Sequence, residues 1–229
     1  VMTDTDKDEC SYVSKTIKEL RDKDVNYEDM AILYRTNAQS RLIEEEMLKN
    51  GIPYKIIGSF YFYNRKEIKD LIAYFRLTFN PSDEEAIKRV INYPKRGIGD
   101  TSVDKIIVAA DKHDKTMWEV INNPGQYLEG RVAAPIHDFA ILIQSFQAEA
   151  KKLDAYETAL YIAQHAGILK DLHADDSVEG RSRYENIQEL LNGIKEFSER
   201  EDIEERGLDT FMQDVALLTN DDKDSKDKN

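Results

Sequence analysis

Covalent and metal cross-links have almost nothing to work with here. Cys10 is the single cysteine in 229 residues, which excludes a disulfide framework and a cysteine metal cluster. It reads as a small, partly buried thiol in a reducing compartment. Proline is scarce, with five residues, so long helices meet few breakers. No apolar run approaches the length of about 20 residues that crosses a bilayer, and no secretory signal opens the sequence. The expected setting is therefore cytoplasmic, away from a membrane. Positive charge is also short: 32 Lys and Arg against 45 Asp and Glu leave a formal charge of −13. That balance argues against a protein coated with nucleic acid, though not against a local basic footprint.

Catalytic signatures are missing too. There is no GxxxxGK[ST] loop to cradle a nucleoside triphosphate. Gly97-Ile98-Gly99 lacks the third glycine of a dinucleotide fingerprint and follows no strand. His113, His137, His165 and His173 are scattered without metal-like spacing and read as surface or helix-end residues. Carboxylates are many, but no pair stands out as an acid/base couple. No catalytic residue, metal site or cofactor of its own is expected, which suits a binding or regulatory module better than a self-sufficient enzyme.

What is present is a helix-rich chain, 41% hydrophobic and 34% charged. Helical spacing predicts a helix over 9–23. MAILYR (30–35) and YKIIG (54–58) read as short buried strands around a helix over 38–49, capped by Asn37 and ended at Gly51. Helix–strand–helix–strand is a piece of an α/β layer, and two short strands make no stable sheet alone. The polar, abrupt start over residues 1–9 fits a boundary cut within a longer chain. From Ser59 onward the pattern is helical. Helices are expected over 65–79, from the capping box at Ser82–Glu85 to Ile91, from about Ser102 to 113, and over 116–121, with Trp118 as core anchor. Further helices follow over 130–152, 156–165, 168–173, 179–200 and 208–218. The stretch 220–229, without an apolar residue, is expected to be disordered.

The centre of this pattern is NYPKRGIGDTSVD (92–104). Gly97 and Gly99 can take positive φ, Asp100 or Thr101 can cap the following helix, and a helix N-terminus favours an anion such as a phosphate. Lys88, Arg89, Lys95, Arg96 and Lys105 outnumber Asp100 and Asp104 by three in this stretch.

Four blocks of residues carry a resemblance. LYRTNAQSR (33–41), GIPYKIIGSFYFYNRKEIKDLIAYFRL (51–77), NYPKRGIGDTSVDKI (92–106) and RSRYENIQELL (181–191) stand in the order found in superfamily 1 DNA helicases of the UvrD, PcrA and Rep type. The likeness is strongest to the PcrA helicases of Gram-positive bacteria. Two departures stand out: Ser59 replaces a second glycine, and the chain ends in an acidic tail before the motor motifs resume.

The resemblance implies that residues 1–58 are part of the RecA-like motor domain 2A. Residues 59–219 would be the helical insertion 2B, which grips duplex DNA near the fork without reading sequence. Lys95, Arg96, Gly97, Ile98, Gly99, Thr101 and Lys105 would form the duplex phosphate contact. Arg35, Asn37 and Arg41 resemble positions near the single strand, with Arg41 alternatively pairing Glu45. Phe62, with Phe60 and Tyr61, would either stack on bases or pack. The parent would be a bacterial, nucleoid-associated 3′-to-5′ helicase in DNA repair or replication, using ATP and Mg2+ bound outside this chain. Expected partners are duplex DNA, duplex/single-strand junctions and the rest of the motor. The alternative reading is an autoinhibitory or protein-interaction module that docks repair or transcription proteins.

Overall fold

Side-chain caps open several helices in this chain, and hydrogen bonds in the structure, a computed structural model describing residues 5–201 and 205–224, show how. The Thr5 hydroxyl accepts the Asp8 N–H at 3.1 Å and opens α1 (Asp6–Arg21). Thr36, not Asn37, precedes a single 3-10 turn (Asn37–Gln39), and Gln39 Oε1 accepts the Thr36 N–H at 3.0 Å. That turn leads into α2 (Ser40–Lys49), which ends at Gly51 with φ 63°.

The expected strands are absent: the described residues contain helices and 3-10 turns but no strand, so the partial α/β segment is overturned. A strand exists only where its backbone groups pair with a neighbour. Segments 30–35 and 54–58 are largely apolar, as the sequence shows, but among the described residues they exchange no backbone hydrogen bond with each other. What orders them is side-chain packing. Ile17, Met47 and Ile52 form a small core joined by Val13, Met30, Ile32, Ile43 and Tyr54. Leu33 and Ile57 remain 94% and 88% exposed.

Two compact units result: the chain up to Arg65 together with the chain from Asp214, and Lys66–Gln213. The first contains α1 packed on α2. In the second, α3 (Lys66–Phe79) and α4 (Glu84–Val90) precede the glycine turn, which opens α5 (Asp100–His113). Then come α6 (Met117–Asn122), α7 (Pro124–Tyr127), α8 (Ala133–Glu149), α9 (Ala155–His165), α10 (Ile168–His173) and α11 (Val178–Ser198). The last helix, α12 (Leu208–Asp224), starts in this unit and carries helix into the expected tail; residues 225–229 lie outside the described residues.

Helix α3 is the centre of the second unit, packing against α4, α8, α9 and α11. Ile68, Leu71, Tyr74, Phe75 and Leu77 are fully buried, each side chain worth about 1.5–3 kcal/mol of removed apolar surface. Because partners surround it, α3 also buries polar groups, and these are paired. Asp70 holds Arg89 at 2.8 Å and Lys66 at 2.9 Å. Glu67 accepts the Asn186 amide at 2.6 Å, joining α3 to α11. Trp118 is only half-buried; Met117 beside it takes the core position instead. Among the described residues no helix is long and apolar enough to cross a membrane.

Candidate nucleic-acid interface

Residues 91–101 link α4 to α5, and the Asn92 side chain shapes them. Its Oδ1 accepts the N–H groups of Arg96 at 2.9 Å and Ile98 at 3.1 Å, folding the chain back on itself. The Ile98 side chain is fully buried and plugs the turn into the core. Tyr74 adds a second anchor from α3: its hydroxyl meets the carbonyls of Val90, at 3.1 Å, and Tyr93. Burial raises the Tyr74 phenol well above its usual range, with nearby Arg96 opposing the shift. Lys66 lies 4.4 Å from the Tyr93 ring centre. Burial, then Asp171, pushes the Tyr93 phenol up to about 12.

The two glycines differ. Gly97 has φ 78°, where L residues are strained, whereas Gly99 has φ −77° and extended backbone open to any residue. Gly99 is itself the N-cap of α5, so the helix starts at Asp100, two residues earlier than the sequence suggests. Asp100 and Thr101 are therefore first-turn residues rather than caps. Among the described residues the N–H groups of Gly97, Gly99, Asp100 and Thr101 have no internal acceptor. All four residues are exposed, at the positive end of a 14-residue helix.

The cations separate into groups. Lys88 pairs with Glu84 at 3.2 Å and Arg89 with Asp70. Arg96 is turned inward: its guanidinium donates to the carbonyls of Val90 (3.2 Å), Pro94 (3.0 Å) and Ala166 (2.8 Å). Lys95 and Lys105 are exposed and, among the described residues, lack an ion-pair partner; so do Asp100 and Asp104. The excess of three cations in the sequence thus shrinks to one around the turn, with Lys95, Arg96 and Lys105 against the two aspartates.

The single-strand candidates also divide. Arg35 and Asn37 are exposed. Arg41 is 4% exposed and grips both Glu45 oxygens at 3.2 Å. Phe62 is fully buried. Its N–H donates to Glu44, at 3.1 and 3.2 Å to the two oxygens, while the Arg65 guanidinium lies 5.2 Å from its ring centre. Arg65 donates in addition to Ser40 Oγ at 2.7 Å and the Asn37 carbonyl at 2.8 Å. Phe60 is the ring left outside, 73% exposed. These buried ties hold 60–65 to α2, so the change of unit falls at Lys66 rather than Ser59.

Sequence reasoning missed Asn92 and Tyr74. An asparagine opening a Pro- and Gly-containing loop is a signal for side-chain-to-backbone bonding. Nothing local marks Tyr74, which acts across 19 residues. No group of three or more His, Cys, Asp or Glu among the described residues is arranged to hold a metal ion.

Comparison with known proteins follows the same blocks. The UvrD-like helicase C-terminal domain family matches residues 1–229. The ATP-dependent DNA helicase PcrA of Staphylococcus aureus is 37% identical over 215 residues, 93% of this chain and 30% of the relative. That of Staphylococcus epidermidis is 38% identical over the same shares. The chain thus spans 30% of the length of these relatives. With the whole chain matched, and with motif blocks now seen tied together in the fold, the protein belongs to the UvrD-like helicase C-terminal domain family.

Proposed function

We propose that the Lys66–Gln213 unit is the 2B-type arm of a helicase and holds a phosphate of duplex DNA at the turn 95–101, without reading sequence. The observation that carries this is the set of four exposed, internally unpaired N–H groups at Gly97, Gly99, Asp100 and Thr101, opening a long helix. Lys95 and Lys105 supply the full charges. Ile98 serves through its buried side chain, as the anchor of the turn. Phosphate contacts fix position and carry no base information. Arg35 and Asn37 are the remaining candidates near a single strand. In this reading ATP and Mg2+ belong to the remainder of a 3′-to-5′ helicase, to which this arm contributes grip and regulation.

Binding of a duplex with a 3′ single-stranded tail, measured across salt concentrations, tests the proposal. Lys95→Ala with Lys105→Ala is expected to reduce the salt slope by about two, one for each cation removed from a phosphate. An unchanged slope refutes the phosphate contact. The formal charge of −13 and the two unpaired aspartates favour the protein-docking alternative, which would then stand.

A further inference from the structure

Arg96 sits within the turn, and the inference about it rests on the duplex reading above. Its position is unusual for a DNA contact. The Val90 carbonyl it meets belongs to the last residue of α4, and the Ala166 carbonyl to the residue that caps α9. Both are C-terminal carbonyls, left without the usual i+4 helix donor and carrying partial negative charge; that of Val90 also accepts the Tyr93 N–H at 3.0 Å and the Tyr74 hydroxyl at 3.1 Å. One guanidinium thus meets the ends of two helices, the second of them 70 residues along the chain from Arg96, and, through Pro94, also closes its own loop. Its position lies 5.6 Å from the Tyr74 ring centre and 5.8 Å from that of Phe139. Beyond Ala166 stands Gly167 with φ 86°, where an added Cβ would meet Pro94 Cγ at 3.7 Å. The two glycine turns are therefore neighbours, joined by the hydrogen bond from Arg96 to the Ala166 carbonyl.

We propose that Arg96 touches no nucleic acid and is a positioning residue. It fixes the phosphate-facing turn 95–101 to the α9–α10 junction, so that the two turns move as one body. A guanidinium can do this because its donors fan out in a plane. A lysine ammonium keeps the charge but not the fork.

The test uses the full chain and a labelled duplex with a 3′ tail, with binding measured across salt concentrations for wild type, Lys95→Ala, Arg96→Lys and Arg96→Ala. Amide hydrogen exchange in the DNA-free protein is followed in parallel, and circular dichroism checks folding. Arg96→Lys is expected to weaken binding about tenfold with an unchanged salt slope, because no phosphate loses a cation. Exchange at the Ile98 amide should rise about tenfold as the turn loosens. Lys95→Ala should show the opposite pattern: a slope lower by about one and unchanged exchange at Ile98. Wild-type affinity in Arg96→Lys, together with a slope lower by about one in Arg96→Ala, would mean a direct phosphate contact and overturn the proposal. Unchanged affinity and exchange in both Arg96 variants would overturn it as well. Should Arg96→Ala fail to fold, Arg96→Lys decides alone. If the wild type binds no duplex, the duplex reading falls, while exchange at Ile98 still upholds or overturns the anchoring.

Discussion

The hydrogen bond between Glu67 and Asn186 links the block 51–77 to the block 181–191 and offers a quantitative test of how the helical unit is held. Asn186 Nδ2 donates to Glu67 Oε1 at 2.6 Å, and the two residues are 3% and 7% exposed. A hydrogen bond to a charged group contributes about 1.5–3 kcal/mol, roughly twice a neutral one. A double-mutant cycle with Glu67→Ala and Asn186→Ala isolates that coupling from lost packing. The coupling energy is expected at about 2 kcal/mol, the double variant being less destabilised than the singles summed. For a unit of about 150 residues, each kcal/mol shifts Tm by about 2–4 °C. Urea unfolding followed by fluorescence suits the measurement, since Trp118 is the only tryptophan and lies in this unit. Because the pair is buried, the coupling should change little with salt. A coupling below about 0.5 kcal/mol, the level of an exposed ion pair, would refute the claim that this contact holds α3 to α11.

Two further outcomes follow from the geometry. Gly97→Ala meets no atom within 4 Å, so its cost is the left-handed backbone alone, about 1–2 kcal/mol. Gly99→Ala, at φ −77°, loses only N-cap preference, about 0.5 kcal/mol; the reverse order in urea unfolding would contradict the assigned turn. Burial, then Glu9 and Glu46, pushes the Cys10 thiol up from 9.0 to about 11. The folded state therefore favours the protonated thiol. This stability is fully present below about pH 9 and is lost as pH rises toward 11, about 2–3 kcal/mol in all. Thiolate absorbance should titrate with a midpoint near 11, and Cys10→Ala should remove that part of the alkaline destabilisation. A midpoint near 9 would show the thiol is open to water.

Helix periods and caps were legible locally. Ile168–His173 lies where spacing placed it, the other expected helices differ mainly at their ends, and the short α7 forms where the sequence offers no helical period. Capping depends on a few neighbouring atoms, so small errors were local ones: Asp83 rather than Ser82 caps α4, and Gly99 rather than Asp100 or Thr101 caps α5. The strands were misread for a different reason. Apolar runs at 30–35 and 54–58 record only a tendency to leave water, met here in part by Met30, Ile32 and Tyr54 while Leu33 and Ile57 stay exposed, whereas a strand requires a partner edge, and no partner edge is found among the described residues.

The sequence by itself determined the helical unit, its glycine turn and the family, because helical period, turn residues and motif order are all written along the chain. Tertiary structure alone decided which charges are available. Arg41, Arg89 and Arg96 look like Lys95 and Lys105 in one dimension. Folding then gives the first two carboxylates and the third three carbonyls, leaving the two lysines exposed beside the turn. The physical reason is that a cation's role depends on what lies within about 4 Å of it, and that distance is set by residues as far away as Ala166.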